Sequence, residues 1–116
     1  MEEIYRSLLD SVPYPIVFVN LDHEIIYINK RADDVFHKED KYPNIVGQSI
    51  FHCHNDRSKE MILEAVERFR NGGGEEYLTI TKRNERTYVT PVRNENGELL
   101  GYYERHELNE AWKATS

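Results

Sequence analysis

The chain has 116 residues, of which 39% are hydrophobic and 31% charged, with a formal net charge of −6. That is the size and composition of one globular domain, and the acidic balance argues against a nucleic-acid partner, which needs a basic face. No apolar run approaches the roughly 18 residues that span a bilayer, the first residues are too polar for a secretory signal, and a lone cysteine excludes a disulfide framework, so no membrane partner and a cytoplasmic location are expected.

The elements read as follows in chain order. Residues 3–12 carry Ile4, Tyr5, Leu8, Leu9 and Val12 on one helical face, and Pro13 and Pro15 stop the helix. Residues 15–20 and 24–29 are two apolar runs around the polar turn Leu21, Asp22 and His23, which predicts a hairpin. Residues 31–37 form a short helical turn with Ala32, Val35 and Phe36 inward, and residues 38–44 read as a loop or a single turn ending near Pro43. Residues 57–70 are the clearest helix, with Asn55 or Asp56 as its cap and Met61, Ile62, Ala65, Val66 and Phe69 as its apolar stripe. The run Asn71, Gly72, Gly73 and Gly74 ends it. Three strands follow at 77–82, 87–93 and 99–106, with turns over 83–86 and 94–98. Pro91 cannot donate to a ladder, so a bulge or an unpaired position is expected there. Two strands, short helices and three more strands make an α+β layout, with the first hairpin pairing to the far end of the chain.

Three stretches carry a resemblance. They are Val19-Asn20-Leu21-Asp22 with Ile26-Tyr27-Ile28-Asn29, then Ile45-Val46-Gly47-Gln48-Ser49, then the hairpin from Pro91 to Gly101. In these the chain resembles the PAS domain family over about residues 5–108. The run from Gly47 to Asn55 with Pro91-Val92-Arg93-Asn94 is similar to the PAS modules that follow hemerythrin-like regions in bacterial and archaeal proteins. The resemblance implies a five-stranded antiparallel sheet in order 2-1-5-4-3 with helices packed on one face. It divides the chain into an N-terminal amphipathic helix (1–12), the PAS domain (13–108) and a tail or connector (109–116), with residues 107–114 expected to begin a helix. It implies sensing or interaction, with a small ligand between sheet and helices, and a homodimer through the first helix and the outer sheet face.

Several residues are candidates for that pocket. His52, Cys53 and His54 could bind a metal, with Asp56 or His23 as a third ligand, or haem, or make a redox sensor of Cys53. Set against this, a small buried cysteine with one bonded and one solvated histidine is the plainer reading, and no second cluster at metal spacing exists. In haem-carrying PAS proteins the ligand histidine sits on the long helix, and the matching place here falls near Met61, with Ala65 one turn on. His106 is a further haem alternative. Tyr88 and Tyr102 offer apolar walls with polar tips, and Glu104 shares a face with Tyr102. A buried carboxylate there needs an arginine, a histidine or a ligand amine. Cys53 lacks the sequence context of light-sensing flavin proteins. Adjacent residues in a strand point apart, so Cys53 and its neighbouring histidines do not form a hydrolytic pair and no enzyme is expected.

Overall fold

The computed structural model describes residues 1–39, 45–53, 55–80 and 84–108. Helix α1 spans Glu2–Asp10, and strands β1 (Ile16–Asn20) and β2 (Ile25–Ile28) follow as a hairpin. Helix α2 (Lys30–Asp33) runs into a wide π-helical turn at Asp34–Glu39. A 3-10 turn at Ile50–Cys53 precedes α3 (Asp56–Arg70), and β3 (Glu76–Ile80), β4 (Glu85–Arg93) and β5 (Leu99–Leu108) close the chain. The sheet is antiparallel in the order β2-β1-β5-β4-β3.

Each element follows from its residues. Asn55 caps α3 by accepting from the Ser58 N–H at 2.8 Å. The α3 stripe Ile62, Ala65, Val66 and Phe69 is buried against the sheet, together with Val17, Val19, Ile25, Val89 and Tyr102. Each of the buried Val, Ile and Phe side chains stabilises the fold by roughly 1.5–3 kcal/mol relative to exposure. Both hairpins with described tips use one turn. Asn20 accepts from the N–H groups of Asp22 and Glu24, and Asn94 does the same for Asn96 and Glu98. The fourth residue is left-handed in each, His23 at φ 64° and Gly97 at φ 82°.

The sequence expectations shift at the edges. The first helix ends at Asp10 rather than residue 12, with the Ser11 hydroxyl donating to the Leu8 carbonyl at 2.6 Å. Of the loop or single turn expected over 38–44, Lys38 and Glu39 belong to the π-helical turn, while residues 40–44 lie outside the described residues. Glu85 and Arg86 belong to β4, because Glu85 pairs with Leu108 and Arg86 with Glu107. That same pairing makes Glu107 and Leu108 strand instead of connector helix. Residues 109–116 lie outside the described residues. Pro91 keeps its place opposite Tyr102, and the irregularity falls one step on, between Val92 and Arg93.

Asn29 ties the first third together. Fully buried, its Oδ1 accepts from the N–H groups of Ile16 and Ala32 at 3.0 Å each, and its Nδ2 donates to the carbonyls of Leu9 and Tyr14 at 3.0 and 2.9 Å. One side chain therefore caps α2, starts β1 and anchors the end of α1. Asn29→Ala should destabilise the domain by about 3 kcal/mol or more, because it leaves buried donors and acceptors without partners. A urea unfolding series measures this, and a loss under about 1 kcal/mol would show that the three junctions hold without it.

Candidate functional site

Strand alternation puts Glu85, Thr87 and Val89 of β4 on the helix-covered face with Tyr102, Glu104 and His106 of β5. Four of these six are buried polar or charged groups: Glu85, Thr87, Glu104 and His106. Thr87 stands opposite His106, and its Oγ1 is 3.0 Å from His106 Nδ1. The other ring nitrogen, Nε2, is 4.0 Å from Glu104 Oε2. Phe36 of the π-helical turn meets the His106 ring edge-on, with centroids 6.1 Å apart. Placing carboxylates and an imidazole under a helix layer costs folding free energy unless they are bonded.

At the other end of the row, Tyr102 is fully buried and its hydroxyl lies 2.9 Å from His23 Nδ1. Burial first, and then the Glu104 charge, push the phenol far above its ordinary value, so it stays protonated. The His23 ring also packs on Phe51, centroids 4.7 Å apart, and Lys59 sits over the far ring at 5.2 Å. Burial lowers the His23 imidazole below 6.5, Arg70 and Lys59 act in the same direction, and Asp22 opposes them. A base lowered in the folded state binds fewer protons than the unfolded chain. Its contribution is present above about pH 6.5 and is lost as the pH falls toward the folded value.

The opposite face of the sheet is divided. Leu9, Ile16, Phe18, Tyr27, Val92 and Tyr103 line an open apolar groove of about 490 Å³. Beside it, Arg105 stacks over Tyr88 at 4.5 Å and pairs with Glu75 and Glu107, and Tyr77 packs on Tyr88 at 5.6 Å. Helix α1 borders the groove through Leu9, while Ile4, Tyr5 and Leu8 are each more than half exposed.

The structure brings some of the sequence candidates together and separates others. Tyr102, Glu104 and Ala65 are buried on the inner side, and Met61 is half-buried on α3. Tyr88 must be moved: β4 alternation turns it to the outer face, where Arg105 and Tyr77 hold it. His52 also leaves the proposed pocket, since it is exposed with Nδ1 3.5 Å from Gln48 Oε1. Cys53 ends the 3-10 turn, and its side chain and all of His54 lie outside the described residues. Among the described residues, no group of three His, Cys, Asp or Glu side chains is placed to hold a metal.

Glu85 and Thr87 had no part in the sequence-derived pocket, His23 entered it only as a possible third metal ligand, and His106 only as a haem alternative. The available signal was polar residues at alternate positions, 85 and 87 in one strand and 104 and 106 in the next. Thr87→Val should destabilise the domain by about 1–3 kcal/mol, since the His106 Nδ1 loses its partner, while Thr87→Ser should stay within about 1 kcal/mol. Equal effects of the two substitutions on the thermal midpoint would mean that the hydroxyl is not what matters.

The family model described as PAS domain matches residues 5–106. No curated protein matches the chain. Among solved structures, a C-terminal domain from Streptococcus mutans is similar at 24% identity and TM-score 0.74, over 99% of this chain and 90% of that one. A PAS domain from Colwellia psychrerythraea follows at 19% identity and TM-score 0.67, over 91% and 94%. The Aer2 receptor from Vibrio cholerae, a dual PAS-heme oxygen sensor, aligns at 14% identity and TM-score 0.60, over 81% and 92%. At these identities the structural likeness is one of fold. The matched span, the strand order and the helices on one face agree, and the chain belongs to the PAS domain family.

Proposed function

We propose that this chain is a sensory and signalling module that holds a small ligand against the inner face of β4 and β5. The carrying observation is the buried row Thr87, Tyr102, Glu104 and His106 beneath α3 and the π-helical turn. A core selected for stability alone gains nothing from carboxylates and an imidazole, whereas a ligand site needs a few convergent polar groups in apolar walls. Ala65 and Met61 of α3 are the proposed apolar wall. Glu104 favours an occupant that donates hydrogen bonds, such as an amine.

A second reading, compatible with the first, is pairing with a second copy. The exposed Ile4, Tyr5 and Leu8 stripe of α1 and the neighbouring groove of Phe18, Val92 and Tyr103 support it, since apolar surface at such a seam gains from being covered. A ligand-free interaction domain would use these same surfaces. Haem is the weaker occupant. Helix α3 carries no histidine, and His106 is engaged by Thr87 at one nitrogen and faces Glu104 with the other, so the described residues do not fit a haem held in the usual way.

A thermal-shift screen of small amines, organic acids, nucleobases and haem tests the ligand reading. At least one compound should raise Tm in the wild type, with the shift lost in Glu104→Gln and kept in Tyr88→Phe. Shifts that ignore Glu104 and His106, or no shift at all, would leave pairing as the function. A Soret band that moves in Met61→Ala would restore haem. For pairing, sedimentation should give a dimer that the double substitution Tyr5→Glu with Leu8→Glu converts to a monomer of unchanged fold. A wild-type monomer at all concentrations would end that reading.

A further inference from the structure

We propose that His23 is an acid-sensitive latch, holding the segment from Ile45 to Cys53 against the sheet while its ring is neutral and releasing it when the ring is protonated. The device needs no ligand and stands apart from the pocket reading. It rests first on a comparison within the molecule. The turns Asn20–Glu24 and Asn94–Glu98 are built alike, each with an asparagine Oδ1 accepting two N–H groups and a left-handed fourth residue. In one turn that residue is Gly97, which meets the geometry without strain. In the other it is His23, at φ 64°. Histidine tolerates that region better than most residues but still at a cost, and such a cost persists where the side chain has work elsewhere.

The ring's surroundings show that work. Nδ1 meets the buried Tyr102 hydroxyl at 2.9 Å, and the ring face meets Phe51. The backbone on either side is stitched to the same segment. Ile50 N–H donates to the His23 carbonyl at 2.9 Å, Ile25 N–H to the Gln48 carbonyl at 2.9 Å, and Gly47 N–H to the Ile25 carbonyl at 2.7 Å. Glu24 and Ser49 form an antiparallel bridge. His23 is therefore the polar side chain that ties this seam to the central strand, beside the apolar packing of Ile45, Ile50 and Phe51 in the same core.

Protonation acts directly on that tie. With neutral His23, the Tyr102 O–H donates to the bare Nδ1. A proton taken from solvent onto Nδ1 forces that bond to reverse, with Nδ1–H donating and the phenol oxygen accepting, and it turns the buried Tyr102 O–H away from its acceptor. The charged groups facing the ring are Lys59 and Arg70 from α3, Asp22 from its own turn, and Glu104 beyond Tyr102 on β5. Burial and the two cations of α3 disfavour an imidazolium in place, and Asp22 opposes them. The ring leaves Phe51, and the seam loses its polar anchor and keeps only its apolar packing.

Amide hydrogen exchange of the full chain by NMR, at about pH 7.5 and about pH 5.5 with the intrinsic rate divided out, reads the latch. In the wild type, protection at Ile25, Gly47 and Ile50 should fall about tenfold or more on acidification, while the β4–β5 ladder keeps its protection. His23→Gly relieves the turn as Gly97 does, and should show weak, pH-independent protection at the seam. His23→Gln supplies a non-titrating acceptor and should hold the seam at both pH values. His52 and His106 remain in both variants, so a step caused by either would survive. A seam equally protected at both pH values in the wild type would overturn the proposal. So would a step retained in His23→Gly, or a side-chain nitrogen spectrum showing Nδ1 protonated in the neutral ring.

Discussion

The pairing of β1 with β5 is the constraint on which the rest of the molecule depends. It joins the start of the domain to its end, Val17 opposite Glu104 and Val19 opposite Tyr102. It puts β5 at the centre of the sheet and hence under the helix layer. The pairing is close enough that a side chain at Gly101 is excluded, because a Cβ there would lie 2.2 Å from the Val19 carbonyl oxygen. Were β5 an edge strand, Glu104 and His106 could face water and would say nothing about function. Because it is central, both are buried, and the fold commits their free-energy cost to the interior.

The central strand also separates two chemistries. Its inner row, Tyr102, Glu104 and His106, is bonded to the β1–β2 turn at one end and to β4 at the other. Its outer row, Tyr103 and Arg105, divides the opposite face into an apolar groove and a salt-bridged aromatic patch. An event on the inner row is thus one strand thickness from the surface proposed for pairing. Helix α1 is attached through its last turn, where Asn29 bonds Leu9 and the Asp10 carboxylate accepts from Tyr27 and Lys30. A change in β1 or β2 register would be felt at that attachment.

Much of this was legible in the sequence, because the strong signals were periodic. The α3 stripe and the five strands followed from apolar spacing and turn residues, with boundary errors of one or two residues at most ends. The faces of separate strands were harder. Tyr88 and Tyr102 looked alike as strand tyrosines, and only the β4–β5 register shows that Tyr88 shares a face with Arg105 and Tyr102 with Glu104. The role of His23 was illegible for a different reason. Its partner is 79 residues away, and its turn position would ordinarily be read as a place for glycine or asparagine. Asn29 was taken as a strand end because nothing local shows that three distant backbone groups, those of Leu9, Tyr14 and Ile16, converge on it. His52 shows the converse: the sequence offered it for the pocket, and its side chain is exposed beside Gln48.

The most direct test of the account is a map of backbone amide shifts as small ligands are added to the wild-type chain. The account predicts that perturbations from any compound binding specifically centre on residues 87–89 and 102–106 and on the inner side of α3 between Ile62 and Phe69. Perturbations confined to α1 and the outer groove, with β4 and β5 inner positions unmoved, would contradict the claim that the buried polar row is the sensing face.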